Sequence, residues 1–142
     1  MNLKKYFLTG LFIVSISFLF GQKIGVAYHP DGSMIGVNAK VGENFLPELR
    51  TQTNVPFEWL PVEFVVNYLF VKKDDYQIYT GLGGNYSSYY SSASVVLPVG
   101  INLYPFENKK FGFHIEIAGI IGESYPVEDY LRGSWGLRYR FY

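Results

Sequence analysis

The chain has 142 residues, no cysteine and a formal net charge of +0. This length suits one domain, the balanced charge argues against a nucleic-acid binder, and the missing cysteine excludes disulfides, thiolate metal sites and a lipid-modified cysteine anchor. Charged residues make up 17% of the chain, a low share because soluble domains carry about 25%.

The first predicted element is a targeting signal. Lys4 and Lys5 give a basic start, an almost unbroken apolar run follows from Tyr6 to Phe20, and Gly21 offers a cleavage point. The run is short for a transmembrane helix, which needs about 20 apolar residues; a retained N-terminal anchor is the alternative. We therefore expect a signal peptide over residues 1–21 and an exported domain over residues 22–142.

The exported part predicts eight strands, because apolar and polar side chains alternate with a period of two. Short polar turns at 42–44, 72–75 and 107–110 alternate with longer loops at 54–61, 86–93 and 123–131. The first hairpin departs from this pattern, since its turn is tight and its strands are short. The predicted strands are Lys23 to His29, Met34 to Val41, Phe45 to Thr53, Val62 to Val71, Tyr76 to Asn85, Ser94 to Tyr104, Phe111 to Gly122 and Arg132 to Phe141.

One face of every predicted strand is apolar and carries no charge, whereas glycine and charged residues gather on the other face. In the sixth strand the apolar side chains are Val95, Leu97, Val99, Ile101 and Leu103. A soluble, lipocalin-like barrel would turn this face inward around an apolar ligand, and a membrane barrel would turn it outward. A charge at the bilayer centre costs about 2–4 kcal/mol, and glycine suits a narrow interior. The pattern favours an all-β, eight-stranded, antiparallel up-and-down transmembrane β-barrel with short turns in the periplasm.

The last strand carries a family resemblance. Residues 133–142 read GSWGLRYRFY, with Trp135, Leu137, Tyr139 and Phe141 in alternation, and this stretch resembles the C-terminal signal strand of outer-membrane β-barrel proteins. With the N-terminal signal and the hairpin NLYPFENKKFGF, the chain resembles the small OmpA-like outer-membrane barrels of the Bacteroidetes type. The resemblance implies the outer membrane of a Gram-negative cell, contact with lipid and lipopolysaccharide, and the barrel-assembly machinery as a partner during biogenesis. We expect a monomer without a cofactor.

The predicted interior holds acidic and basic side chains that must be paired or hydrogen-bonded, because an eight-stranded barrel is filled by its own side chains. We expect Glu116 and Glu63 to pair with Arg138 and Arg50. A narrow conduit for small solutes or ions, preferring anions because bases are in excess, is the alternative. The predicted structural network comprises Glu48, Arg50, Glu63, Asn67, His114, Glu116, Arg138 and Arg140.

Catalytic patterns are weak, and we expect no enzyme activity and no metal. A Gly-x-Ser-x-Gly elbow, a phosphate loop and a His-Glu-x-x-His helix are missing from the sequence. His29 and His114 could join Glu116 around a metal ion, but a structural role is favoured. Ser134 or Ser94 with His114 would be the candidates for a serine nucleophile, and no surrounding motif supports them.

Two long loops give the best sequence hint of an external partner. Tyr86, Tyr89 and Tyr90 lie in NYSSYYSSAS, a composition that suits surface recognition, and ESYPVEDY adds acidic residues that could meet cations or a basic partner. Ordinary solvated loops would have a similar composition. The sequence thus predicts a structural or surface-interaction protein of the cell envelope.

Overall fold

The computed structural model describes residues 23–122 and 129–142, and within them eight antiparallel strands close into one barrel. Each strand pairs with the next along the chain, and the last strand pairs back with the first. The predicted all-β, eight-stranded antiparallel barrel is confirmed. The expected signal peptide over residues 1–21 and residues 123–128 of the expected loop at 123–131 lie outside the described residues. Tyr130 and Leu131 of that expected loop are instead the first residues of the last strand. The strands are β1 (Lys23–His29), β2 (Met34–Lys40), β3 (Phe45–Gln52), β4 (Val62–Lys72), β5 (Tyr76–Ser87), β6 (Ser92–Leu103), β7 (Phe111–Gly122) and β8 (Tyr130–Arg140).

The connections 41–44, 73–75 and 104–110 join the strands at one end of the barrel, where Lys23 and Tyr142 also lie, and we call this the turn end. The opposite end, which carries the connections 30–33, 53–61 and 88–91, is the loop end. The predicted alternation of short turns and long loops is wrong at β6, because only residues 88–91 separate it from β5, whereas residues 104–110 separate it from β7. The helical content of the described chain is two 3-10 turns at the loop end, Pro30–Gly32 and Phe57–Trp59. No helix in residues 23–122 or 129–142 is long and apolar enough to span a membrane.

The polar face of the strands points inward and the apolar face points outward, as the glycines on the polar face and the lack of charge on the apolar face predict. Val99 and Ile115 are 55% and 54% exposed, whereas Arg138 and Glu116 are 3% and 1% exposed. Inward glycines make this interior possible. A Cβ atom on Gly100 would lie 2.5 Å from the Tyr79 hydroxyl oxygen, so a larger residue there would displace the interior side chains.

The outward face carries no charged side chain in any described strand. Thr51 and Thr80 bear hydroxyl groups on this face, and both hydroxyls donate to backbone carbonyls of the adjacent segment of the same chain. Thr51 Oγ1 lies 2.9 Å from the oxygen of Pro61, and Thr80 Oγ1 lies 3.2 Å from that of Pro98. These polar groups therefore do not depend on water for a hydrogen-bond partner.

A β-bulge in β4 changes the alternation at the turn end. The register with β5 shifts between Leu69 and Val71, so Phe70 and Val71 both lie on the outward side. Lys72 then stands opposite Gln77 and lines the inside of the turn end. The predicted end of this strand at Val71, with Lys72 in a turn, was wrong, because a bulge leaves no clear mark in an apolar run.

The first hairpin is shorter than the rest of the barrel. β1 and β2 have 7 residues each, whereas β7 has 12. At about 3.3 Å per residue and a tilt of about 40°, seven residues rise about 18 Å. The hairpin tip is fixed to β8, because the Asp31 carboxylate accepts the backbone N–H of Trp135 at 2.9 Å. β8 therefore continues toward the loop end beyond the top of the first hairpin.

Candidate functional site

Arg50 occupies the centre of the barrel interior and is fully buried. Its guanidinium donates to Glu48 at 2.7 Å, to Glu63 at 3.0 Å and, through two nitrogens, to both oxygens of Glu116 at 2.7 Å. Period two places Glu48 on the same inward face of β3, and the register places Glu63 directly opposite Arg50. Since Glu116 comes from β7 on the far side of the barrel, the Arg50 side chain bridges the interior.

Two more arginines complete the pairing of the three carboxylates. Arg138 donates to Glu48 at 2.8 Å, and Arg132 donates to both oxygens of Glu63 at 2.8 Å. Three guanidinium groups and three carboxylates thus balance in formal charge where water is scarce. We call these six side chains the ion-pair layer: Arg50, Arg132, Arg138, Glu48, Glu63 and Glu116.

The expected pairings of Arg50 with Glu63 and Glu116 are confirmed, but the expected role of Arg138 was wrong. Arg138 stands opposite Gly112 on β7. Glu116 is four residues further along that strand, or about 13 Å away. Arg138 instead pairs with Glu48 at 2.8 Å.

Two buried histidines extend the network from Glu48. His29 Nε2 lies 3.2 Å from Glu48 Oε1, and His29 Nδ1 lies 2.9 Å from His114 Nε2. The structure thus brings together the two histidines considered for a metal site, but their acidic neighbour is Glu48 rather than Glu116. In the described parts of the chain, no group of three or more histidine or acidic side chains has an arrangement that could hold a metal ion.

Neither candidate serine forms a pair with His114. Ser134 is buried opposite Glu116, and its hydroxyl has no hydrogen-bond partner among the described residues. Ser94 stands opposite Gly122 at the loop end, eight residues along β6 from Asn102, which is the residue opposite His114. The geometry therefore assembles no serine–histidine dyad from these residues.

Two of the other predicted interior residues lie apart from the ion pairs. Asn67 is fully buried, but its side-chain amide has no hydrogen-bond partner in the described structure. Arg140 was expected in the network and instead lies at the turn end, half-buried. Its guanidinium stacks 3.2 Å from the centre of the Tyr104 ring. It reaches no carboxylate of the ion-pair layer because the strand carries it two residues beyond Arg138 toward the turns.

The predicted assembly strand has its aromatic and aliphatic side chains on the outer surface. Trp135, Leu137 and Tyr139 lie on the outward face of β8, with exposed fractions of 55%, 37% and 38%. The strand ends at Arg140, one residue earlier than predicted, so Phe141 lies just beyond it. Its backbone N–H nevertheless continues the pairing with β1, donating to the Ile24 carbonyl at 2.9 Å.

The loop end carries an aromatic cluster of Trp59, Tyr89 and Tyr90. The Tyr89 ring centre lies 5.0 Å from that of Trp59 and 4.6 Å from that of Tyr90. A cavity of about 280 Å³ opens beside the three rings. Tyr86 was expected in this loop but lies in β5, with its side chain exposed on the outward face, because the strand continues to Ser87. Trp59 was missed, although a tryptophan in a proline-flanked loop was a readable signal.

Cavities lie on both sides of the ion-pair layer. The cavity toward the loop end has a volume of about 230 Å³ and includes Arg50, Glu63 and Arg132 in its wall. The cavity at the turn end has a volume of about 560 Å³ and is lined mainly by lysines. The ion pairs therefore divide the interior into two separate cups.

Comparison with protein-family models found no family that matches the chain. Comparisons with curated proteins and with solved structures likewise found no match.

Proposed function

We propose that this chain is an outer-membrane β-barrel protein of a Gram-negative cell envelope, exported by a signal peptide over residues 1–21. Its proposed role is structural or surface-interacting and involves no catalysis. The lipid bilayer, lipopolysaccharide and, during biogenesis, the barrel-assembly machinery are its proposed contacts. In this orientation the turn end faces the periplasm and the loop end faces the exterior.

The observation that supports this proposal is the inverted polarity of the barrel. The strands bury three arginines and three glutamates and expose an uncharged surface of leucine, isoleucine, valine and aromatic side chains. In water, such an exterior would be a large apolar patch that favours aggregation. In hydrocarbon it is the stable arrangement, since only a closed sheet satisfies its backbone groups.

A soluble barrel that binds an apolar ligand needs an apolar interior, and the interior here is charged. The outward hydroxyls also support lipid contact. Thr51 and Thr80 donate to backbone carbonyls, which removes the cost of an unpartnered polar group in hydrocarbon.

The aromatic cluster at the loop end supports the surface-interaction part of the proposal. Trp59, Tyr89 and Tyr90 offer large rigid contact areas that lose little conformational entropy on binding. The two loops that carry them are joined by the Ser88 hydroxyl, which donates to the Glu58 carbonyl at 3.2 Å. The rings are therefore held together before a partner arrives.

Expression of the full chain in a Gram-negative host tests the membrane assignment. We expect the protein in the carbonate-resistant outer-membrane fraction, with a mass that corresponds to residues 22–142. Its gel mobility should differ between unboiled and boiled samples, because a folded barrel resists detergent until heated. A water-soluble periplasmic protein that is released by carbonate would contradict the proposal.

The alternative function, a narrow conduit, is tested by reconstitution into planar bilayers. We expect no steady ion current, because Arg50 crosses the interior and is held by four hydrogen bonds to glutamates on both sides. Boiled protein in the same detergent is the control for leakage. Stable, anion-selective current steps from the folded protein would favour the conduit instead.

A further inference from the structure

The turn end contains an excess of positive charge around one cavity. Five basic side chains line this cavity of about 560 Å³, together with the two acids Glu43 and Asp74. The excess contrasts with the ion-pair layer, in which each carboxylate has an arginine. We call this cavity and its five cations the basic cup: Lys23, Lys40, Lys72, Lys73 and Arg140.

Most of these cations have no acidic partner in the described structure. Lys72 lies 3.6 Å from Glu43 and also contacts the Asn44 side chain. No described carboxylate lies within 4 Å of the other four basic groups. Lys23 and Arg140 instead lie over the faces of aromatic rings of Tyr142 and Tyr104.

The register of the barrel brings like charges together at this site. Lys23 on β1 stands directly opposite Lys40 on β2, and like charges in directly opposite positions destabilise a sheet. The bulge in β4 then turns Lys72 to the same interior. Both features increase the positive potential of the cup.

We propose that the basic cup binds a compact polyvalent anion that carries phosphate groups, such as pyrophosphate or a phosphate monoester. Its volume falls in the range of small-molecule sites, about 300–1,000 Å³. Lysine ammonium groups act as point charges toward phosphate, and an arginine can donate two parallel hydrogen bonds. Cations from four strands and one turn converge, which favours a ligand with several negative oxygens over a single carboxylate.

The cup is closed on its inner side, because the ion-pair layer separates it from the cavity at the loop end. A bound anion therefore enters and leaves through the turn end, which makes this a binding site and not a passage. The same phosphate chemistry occurs in phospholipid headgroups and in soluble phosphate compounds, and both belong to the class that the cup would recognise.

Calorimetric titration of the folded chain with pyrophosphate in a zwitterionic detergent tests the site. We expect saturable binding, weakened about tenfold or more in a Lys40→Met, Lys73→Gln double variant, because each change removes a cation that can form a charge-assisted hydrogen bond with the anion. The stability of Lys40→Met should not fall, because the change removes the repulsion with Lys23. A role in folding alone would not give this combination of weaker binding and retained stability.

Lys110→Gln provides the matched control, because Lys110 lies in the β6–β7 turn at the same end but does not line the cup. Its pyrophosphate affinity should stay close to that of the unaltered protein. Absence of saturable binding, or equal weakening in Lys110→Gln, would overturn the proposal. The binding assay needs no bilayer, so its failure is distinguishable from failure of the membrane assignment.

A competition arm identifies the source of the phosphate. Nanodiscs of zwitterionic lipid with and without anionic phospholipid are titrated with pyrophosphate. Loss of pyrophosphate binding in the anionic discs identifies a lipid headgroup as the occupant, and retention identifies a soluble phosphate compound. In the discs of zwitterionic lipid alone, the double variant should weaken pyrophosphate binding as it does in detergent.

Discussion

Replacing Arg50 with methionine should lower the free energy of unfolding by about 3–5 kcal/mol, the usual cost of removing one partner from a buried ion pair. Arg50 is fully buried and hydrogen-bonds to Glu48, Glu63 and Glu116. Methionine fills part of the space but leaves the three carboxylates to repel one another. Denaturant unfolding in lipid vesicles, followed by the fluorescence of Trp59 and Trp135, measures the change.

Two further variants separate the charge effect from the loss of packing. Arg132→Met should cost less, because Arg132 is 17% exposed and Glu63 keeps its bond to Arg50. Adding Glu48→Gln, Glu63→Gln and Glu116→Gln to the Arg50 variant should restore more than half of the lost stability, since neutral amides tolerate the absent cation. A change below about 1 kcal/mol for Arg50→Met, the size of an average substitution, would mean that the ion-pair layer does not stabilise the barrel.

The strands and their two faces were predictable because apolar and polar residues alternate along the sequence with a period of two. Val99 and Ile115 share one phase, and Glu116 and Arg138 share the other. No long-range information is needed for this assignment. The even number of strands makes the last strand antiparallel to the first, so β8 can pair with β1 and close the barrel.

The partners inside the barrel were less predictable, because they depend on depth and register. Arg138 and Glu116 are both inward, yet their positions differ by about four residues along the barrel wall, and Glu48 takes the place expected for Glu116. The bulge at Phe70 likewise could not be predicted from the sequence. An apolar run reads equally well with or without one extra residue, so the inward position of Lys72 emerged only in three dimensions.

The basic cup was hidden for a different reason. The formal net charge of the chain is +0, which suggests no anion site when charge is averaged over the chain. Folding separates the charges: three glutamates pair with three arginines in the ion-pair layer, and the lysines remain at the turn end. Lys23 and Lys40 lie near one end of the chain and Arg140 lies near the other. Only the pairing of β1 with β8 brings the three side chains to one site.

Introducing arginine at Val99 should lower the free energy of unfolding in lipid vesicles by about 2–4 kcal/mol, the cost of a basic side chain at the bilayer centre of a barrel. Val99 lies on the outward face of β6, next to Ile117 of β7, and is 55% exposed. Because this side chain lies on the outer surface of the barrel, the cost would come mainly from the surrounding medium. Equilibrium unfolding in vesicles by denaturant, read from tryptophan fluorescence, gives the value.

Ala93→Arg is the matched control, since Ala93 lies on the same outward face of the same strand, six residues nearer the loop end. There an arginine can reach the headgroups, and the expected cost falls to about 0–1 kcal/mol. A barrel surrounded by water would show no such gradient with depth, because both positions would be equally solvated. Equal, near-zero costs at Val99 and Ala93 would therefore contradict the membrane assignment, whereas a cost that rises toward the middle of the strand requires hydrocarbon around it.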